Sequence, residues 1–492
     1  MQEKTEMTRK LIELAIASGR HYQSSQTGFL HYCHTHANEL VHHTIPIYDN
    51  ALFALALLRS RLVENIREAQ NLLTRLLAFQ TEEGNFPFYL HDYPWSNNFS
   101  LAVQLMTPFH WILKFFGHIL GQELRTALET SIQKLVVYIL QITEVKKFPS
   151  ALSLRLAAGL IAFGRHLKNE KWQKTGELLL AEELKQMNPE SWLNTQQIAD
   201  ILIALSLLKD DYQQDYWKDF IKFIAQTWQA KLAAYCGPCI HEHQSQFYPV
   251  LNLYDLYMGF LTGHLDIHTN QTSIEMLAGS LIYPIGELGT KLASEVSFCE
   301  GKYKNVNWMC LNQENWALSL IEKNVELEEK IQKTYTPFRF IWGEETSKPH
   351  SLVCQGGNAK RIEYKWQEPI VEIYFDLDIF KGNDYESSRE VCFFLDIHPD
   401  VVIEVENQRT SVFELNQTVQ IKLKDGKSLQ MSFEILEGEG NFLGHIAQSN
   451  RSSQLKQADL KKLQVYDWKI FVRTLRRSAN CKIKVKIELS LN

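Results

Sequence analysis

Residues 49–58 read DNALFALALL, an almost continuous apolar run that begins with two polar residues. A helix that is apolar on every side is normally buried inside its domain. Four further runs of this kind follow: SLAVQLMTPFHWIL at 100–113, ALSLRLAAGLIAFG at 151–164, QIADILIALSLL at 197–208 and NLYDLYMGFLTG at 252–263. The starts of successive runs are 51, 51, 46 and 55 residues apart. The sequence therefore predicts five buried helices that repeat along the chain.

The segments between these runs have apolar residues three and four positions apart and charged residues on the opposite face. A helix with a charged face lies on the outside of a helical domain. The four segments are ENIREAQNLLTRLLAFQ at 64–80, ELRTALETSIQKLVVYILQ at 123–141, EKWQKTGELLLAEELKQM at 170–187 and YWKDFIKFIAQTWQAKLAA at 216–234. With a leading helix near residues 3–24, they predict hairpins of one inner and one outer helix. Such pairs are typical of an α/α toroid, although an open solenoid has the same pattern.

The residue pattern changes after about residue 295, where short runs rich in β-branched and aromatic residues alternate with turn residues. The predicted strands are TPFRFIWG at 336–343, RIEYKW at 361–366, IVEIYFDLDIF at 370–380, EVCFFLDI at 390–397, DVVIEVE at 400–406, VQIKLK at 419–424, LQMSFEIL at 429–436, WKIFVRTLRR at 468–477 and CKIKVKIEL at 481–489. Residues 320–333 fit either a helix or strands with a charged edge. The chain is thus predicted to be a multidomain α+β protein, with an α/α toroid over residues 1–290 and an antiparallel β-sandwich over 291–492.

Composition excludes several classes of partner. A formal net charge of −6 and a pI near 6.3 leave no basic excess for a phosphate backbone, so nucleic acid is not predicted. The longest apolar runs, such as residues 51–58, are far shorter than the roughly 18 residues that span a bilayer, so no membrane is predicted. The first residues lack the layout of a signal peptide. Eight scattered cysteines favour a reducing, cytoplasmic location.

The longest polar and aromatic loops all lead from an outer helix to the next inner helix. Because such loops emerge at one end of a toroid, they predict a binding site at its mouth. They include GNFPFYLHDYPWSNN at 84–98, NPESWLNTQQ at 188–197 and YCGPCIHEHQSQFYPVLN at 235–252. The side chains suited to stack on sugar rings or bond hydroxyls are Tyr89, His91, Tyr93, Trp95, Asn97, Trp192 and Gln196. We therefore predict an oligo- or polysaccharide partner, although aromatic residues in long loops also pack against each other.

A helical toroid followed by a β-sandwich resembles the polysaccharide lyases of the heparinase II/III and alginate-lyase type. The stretch SNNFSLA at 96–102 is similar to the one in which that family carries an asparagine at the start of an inner helix. Phe99 stands where histidine is common in the family. The resemblance implies cleavage of a uronic-acid-containing glycan by β-elimination.

That reaction requires a group that neutralises the uronate carboxylate, a base that takes the C5 proton, and an acid that protonates the leaving oxygen. The residues assigned to these roles are Asn98 as the neutraliser, His241 or His243 as the base, and Tyr248 or Tyr93 as the acid. Arg155, near the start of an inner helix, is suited to hold a carboxylate.

Two other functions fit the same loops. A glycoside hydrolase needs two carboxylic acids across a cleft, and Asp92 with Glu242 is the pair on these polar and aromatic loops. Asp49 and Asp255 are substitutes, but their places near inner-helix N-termini favour helix capping. A non-catalytic glycan- or protein-binding protein with the same groove is the third alternative.

The sequence Cys236-Gly237-Pro238-Cys239 matches the redox tetrapeptide of thioredoxin, but the predicted surroundings are not a small α/β domain. With His241 and His243 it places four soft-metal ligands within eight residues. Zinc sites usually draw their ligands from two structural elements. We therefore predict neither a metal nor another cofactor.

Overall fold

The computed structural model describes residues 2–36, 39–96, 98–187, 193–208, 217–241, 253–263, 273–285, 296–303, 305–324, 334–343, 350–354, 359–378, 389–397, 401–423, 427–452 and 466–490 of the chain. The chain forms two compact units. The helical unit consists of Met1–Ile221 and Val250–Ala293, and the sheet unit consists of Lys222–Pro249 and Ser294–Asn492. The sheet unit thus includes a segment, Lys222–Pro249, that precedes the predicted boundary near residue 290.

The described helices follow the predicted alternation closely. They are α1 (Gln2–Tyr22), α2 (Ile47–Arg59), α3 (Val63–Leu77), α4 (Phe99–Trp111), α5 (Gln122–Thr143), α6 (Ser150–His166), α7 (Glu170–Gln186), α8 (Thr195–Leu207), α9 (Lys218–Gln226) and α10 (Leu253–Thr262). Shorter helical turns lie at Leu90–Asp92, Ile112–Phe116, Gly117–Ile119 and Ile274–Leu281. Among the residues that the structure describes, no helix is both long and apolar enough to cross a membrane.

The even-numbered helices α2 to α10 are buried along almost their whole length, whereas α3, α5 and α7 bury one face only. Asparagine side chains begin several of the helices. The Oδ1 atoms of Asn98, Asn169 and Asn194 accept hydrogen bonds from backbone N–H groups in the first turns of α4, α7 and α8. Each cap satisfies a donor that the helix itself cannot pair, which fixes where the helix starts.

The buried helices are neighbours in order: α2 packs against α4, α4 against α6, α6 against α8, and α8 against α10. The turn Ile274–Leu281 contacts α10, α2 and α1. The outer helices α3, α5 and α7 pack against α2, α4 and α6 respectively.

The last amphipathic segment, predicted over residues 216–234, is only partly helical. Helix α9 ends at Gln226, and the short strands Trp228–Gln229 and Ala234–Tyr235 pair with each other. Ala233 has a φ of 48°, a left-handed conformation that ends regular structure. The Gln229 amide donates to Asn312 Oδ1 at 3.0 Å, so this segment is held by a strand of its own unit rather than by helix packing.

Antiparallel strands form the sheet unit, as the alternating runs predicted. In order across the nine-stranded sheet, the strands are Val412–Phe413, Gly440–Ser452, Tyr466–Arg477, Arg389–Asp396, His350–Cys354, Phe338–Trp342, Trp316–Ile321, Val306–Asn312 and Ser297–Tyr303. In the seven-stranded sheet they are Val402–Val405, Val419–Lys422, Ser428–Glu437, Lys482–Ser490, Ile370–Leu377, Ala359–Gln367 and Lys323–Asn324. Strand Cys239–His241 pairs with Thr334–Thr336.

One hydrophobic core holds the two large sheets together. In strand Lys482–Ser490, Ile483, Val485 and Ile487 are buried, while the residues between them are only partly buried. Phe393 of the nine-stranded sheet lies edge-on to Phe433 of the seven-stranded sheet, with ring centroids 6.3 Å apart. This alternation of inward apolar and outward polar residues is what a half-buried strand requires.

Candidate functional site

A cleft of about 800 Å³ opens in the helical unit beside the start of α4. It is lined by Phe88, His91, Asp92, Tyr93, Trp95, Asn98 and Phe99. Two of its aromatic side chains face solvent, since Trp95 is 75% exposed and Tyr93 is 45% exposed. Aromatic rings together with a few polar groups in a concave surface are a lining that ligand sites commonly have.

Backbone hydrogen bonds fix the loop that carries these side chains. Ile47 N donates to Phe88 O at 3.1 Å, and Leu90 N donates to Ile45 O at 2.9 Å, which ties the loop to the start of α2. The Asp92 carboxylate accepts from Tyr89 N at 3.3 Å and closes the short turn Leu90–Asp92. These bonds anchor the loop that forms this wall of the cleft to the helical scaffold.

Asn98 has an orientation set by its own capping bond. Its Oδ1 accepts from Leu101 N at 3.1 Å, while its backbone oxygen accepts from the buried Asn85 amide at 3.1 Å. Because Oδ1 faces the helix terminus, the Nδ2 group lies on the other side of the amide. Asn98 can thus donate to a ligand anion while it caps α4.

Stacked rings support both walls of the cleft. Tyr89 and His91 are parallel within 2°, with centroids 5.6 Å apart. Phe99 stacks on Phe148 at 5.2 Å, and the Lys146 ammonium lies 5.1 Å from the centre of the Phe99 ring. A positive charge therefore lies beside the Phe99 ring, and the Asp92 carboxylate lines the same cleft.

Tyr89 is almost completely buried behind this surface. Burial, together with the charges of Asp92 and Asp49, raises the pKa of Tyr89 to about 12. The phenol therefore keeps its proton near neutral pH, so Tyr89 supports the cleft and cannot act there as a base.

A second polar group lies deeper in the helical unit and joins four buried helices. The Arg155 guanidinium on α6 is 1% exposed and pairs with Asp200 Oδ1 on α8 at 2.8 Å. It also donates to Thr107 Oγ1 at 3.2 Å and to Tyr48 Oη at 3.3 Å. The exposed Gln196 bonds to the Asp200 carboxyl and connects this group with the surface.

The structure brings together four of the predicted site residues, His91, Tyr93, Trp95 and Asn98. Arg155 and Gln196 belong instead to the buried network, where the carboxylate held by Arg155 is that of Asp200. His241 is described only as the end of strand Cys239–His241, where it pairs with Thr334. The predicted residues that lie outside the described part of the chain are Asn97, Trp192, His243 and Tyr248, together with the alternative Glu242.

The predictions from the sequence assigned no role to Tyr48 or Asp200. A signal for the ion pair was present, because Arg155 and Asp200 are the only charged residues in their two apolar runs. A buried charge needs a partner of opposite sign, so adjacent inner helices with one cation and one anion predict a pair. Tyr48 had no comparable signal, since it precedes the apolar run.

No protein-family model and no curated protein matches this chain. Among solved structures it is similar to heparinase III, with 9% identity and a TM-score of 0.46 over 99% of this chain and 85% of the other. It is similar to a chondroitin AC lyase from Streptomyces coelicolor A3, with 8% identity and a TM-score of 0.38 over 99% and 80%. A heparan sulfate lyase from Pedobacter heparinus has 10% identity and a TM-score of 0.32 over 90% and 76%.

These solved structures are polysaccharide lyases, the class of protein that the sequence also resembles. At TM-scores below 0.5, these likenesses do not establish a function for this chain.

Proposed function

We propose that the cleft beside α4 binds a uronic-acid-containing oligo- or polysaccharide. The observation that carries this proposal is the combination of exposed rings with fixed polar groups in one open cleft. Sugar rings present apolar C–H faces to aromatic side chains and hydroxyls to polar ones. Trp95 and Tyr93 supply the aromatic surfaces, and His91, Asp92 and Asn98 supply donors and acceptors.

An acidic sugar suits this cleft better than a neutral one. The Asn98 Nδ2 group has its orientation fixed by the capping bond, so it can donate to a carboxylate without prior rearrangement. Lys146 adds a positive charge beside Phe99. These two features support a uronate as the sugar unit that lies next to α4.

We further propose that the cleft catalyses β-elimination. Asn98 donates to the uronate carboxylate and stabilises the negative charge that develops when the C5 proton leaves. His91 takes that proton, the C4–O bond breaks, a C4–C5 double bond forms, and Tyr93 protonates the leaving oxygen. This assignment uses side chains that line one cleft, and it leaves His241, His243 and Tyr248 as a second prediction for the base and the acid.

Hydrolysis is less well supported. Two carboxylic acids have to face each other across the scissile bond, but Asp92 is the single acid among the described residues that line the cleft. A binding protein without activity would need only the rings and the hydrogen-bonding groups. Asn98 favours a lyase over a binding protein without activity, because its Nδ2 group, which does not take part in the cap, has a function in elimination.

We propose that the helical unit is a closed α/α toroid with the cleft at its mouth. The succession of neighbours from α2 to α10 and the contacts of Ile274–Leu281 with both α10 and α2 support closure of the ring.

The proposal can be tested by following ultraviolet absorbance while the protein is incubated with heparan sulfate, chondroitin sulfate or alginate. A lyase produces an unsaturated uronate, so absorbance rises. Asn98→Asp is the decisive variant, since aspartate keeps the capping acceptor but replaces the donor with a negative charge. We expect normal stability and loss of at least about 100-fold in rate, the size found when one stabilising donor is removed.

A matched control is available in the cap of α7, where Asn169 Oδ1 accepts from Trp172 N at 3.1 Å. Asn169→Asp changes the same kind of cap by the same substitution, but Asn169 does not line the cleft. This variant should keep the wild-type rate. A flat absorbance trace on all three glycans, or an Asn98→Asp variant as active as wild type, would contradict the lyase assignment.

A further inference from the structure

Three cysteines of the sheet unit lie together and take no part in the proposed cleft. Cys299 and Cys310 are direct cross-strand partners in Ser297–Tyr303 and Val306–Asn312. The Sγ atoms of Cys310 and Cys236 are 3.9 Å apart, and Cys310 Sγ lies 3.4 Å from the backbone oxygen of Cys236. We name these three residues the thiol cluster.

The three thiols differ in exposure and in acidity. Cys236 and Cys310 are buried, and Cys299 is half-buried at the edge of the same small apolar cluster. A hydrogen bond from Cys310 lowers the pKa of the Cys299 thiol, and the charge of Lys222 acts in the same direction. Hydrogen bonds with Cys236 and Cys299, together with burial, raise the pKa of Cys310. An acidified thiol that solvent reaches is the one that oxidants attack first.

We propose that the thiol cluster is a disulfide switch that responds to hydroperoxides, with Cys299 as the entry thiol and Cys236–Cys310 as the final disulfide. Cys310 is the centre of the cluster, because it faces Cys299 across the strand pair and Cys236 from the other segment. A thiol with a neighbouring thiol on each side can receive the oxidised state from one and pass it to the other by exchange.

The reaction has three balanced steps. The Cys299 thiol gives up its proton and the thiolate attacks one peroxide oxygen. The O–O bond breaks, the departing oxygen takes up that proton and leaves as water (or an alcohol), and Cys299 becomes a sulfenic acid. The Cys310 thiol then attacks Cys299 Sγ, which forms a disulfide and releases water. Finally the Cys236 thiol attacks Cys310 Sγ, and Cys299 leaves as a thiolate and regains its proton. One peroxide is reduced and two thiols are oxidised.

The positions of the three cysteines favour Cys236–Cys310 as the final disulfide. The gap of 3.9 Å between Cys236 and Cys310 Sγ is about 2 Å longer than a disulfide, so side-chain rotation is needed to close it. In the last exchange the positive charge of Lys222 stabilises the departing Cys299 thiolate, which favours its departure. The product joins the segment Lys222–Pro249 to strand Val306–Asn312 within the sheet unit.

The test treats the full-length, reduced protein with hydrogen peroxide, blocks free thiols with an alkylating agent, and maps linked peptides by mass spectrometry. We expect one new disulfide, with a loss of about 2 Da before alkylation, that links Cys236 to Cys310. In Cys299→Ser its formation should slow by about tenfold or more. In Cys236→Ser oxidation should stop at a Cys299–Cys310 disulfide.

Cys481→Ala is the matched control, because Cys481 is also buried in the sheet unit but lies outside the thiol cluster. It should form the disulfide at the wild-type rate. A measurement on the wild type avoids any folding defect: a limiting amount of alkylating agent should label Cys299 before Cys236 and Cys310. Equal rates in Cys299→Ser and wild type, or no Cys236–Cys310 link in the oxidised protein, would overturn the proposal.

Discussion

His110 on α4 is a buried histidine, and its titration should make the stability of the protein depend on pH. Its side chain is 2% exposed, and neither ring nitrogen has a hydrogen-bond partner among the described residues. The ring lies edge-on to Phe163, with centroids 5.3 Å apart. Burial, with smaller contributions from Lys114 and His166, lowers the pKa of His110 from 6.5 to about 3.

The sign of the pH effect follows from proton binding. Between pH 6.5 and about 3 the unfolded chain protonates this histidine and the folded chain does not, so stability is lost as the pH falls. At pH 4 the loss amounts to about 3 kcal/mol, from about 1.4 kcal/mol for each pH unit below the unfolded value. His110→Phe keeps an aromatic ring at this position and removes the titrating group.

Denaturant unfolding of wild type and His110→Phe at pH 7 and pH 4 measures this contribution. Between the two pH values, the wild type should lose about 3 kcal/mol more than the variant, because all other titrating groups are shared. His21→Phe, on the exposed side of α1, should behave like the wild type. The reasoning is refuted if His110→Phe loses as much stability at pH 4 as the wild type.

Two further changes test the interior of the helical unit. Asp200→Ala should destabilise it by about 3 to 5 kcal/mol in thermal or denaturant unfolding, because Arg155 stays buried without its partner. The double variant Arg155→Met/Asp200→Leu should recover most of that loss, and equal losses in both would contradict the ion-pair account. Gly84→Ala should cost at least about 2 kcal/mol in the same assay, since Gly84 has a φ of 99° and an added Cβ would lie 2.5 Å from Lys134 O. Unchanged stability would show that the loop adjusts.

The helices could be predicted from sequence because their pattern is strong. Each inner run is apolar on all sides and alternates with segments that have a charged face, so the starts of α2, α4, α6, α8 and α10 fall within two residues of the predicted ones. The predicted end of α9 was wrong, since residues 228–235 continue the helical period but pair as short strands. Local periodicity does not report the hydrogen bonds that Gln229 makes within the sheet unit.

The candidate site was predictable only in part. The loop at 84–98 contains a dense set of rings and polar groups, so His91, Tyr93, Trp95 and Asn98 could be selected from the sequence. Tyr89 is almost completely buried, whereas Tyr93 and Trp95 are exposed. The sequence does not show how deeply a single loop residue is buried. The partner of Arg155 depends on which helices are adjacent in space, which requires the fold.

Binding of uronate oligosaccharides to wild type and to Trp95→Ala is the most direct test of the cleft as a glycan site. Titration calorimetry with heparan sulfate, chondroitin sulfate and alginate oligosaccharides should detect binding by wild type to at least one of them. Removing the Trp95 ring, which is 75% exposed, should weaken that binding by about tenfold without loss of stability. Equal affinity in wild type and Trp95→Ala, or no binding to any of the three, would contradict the account.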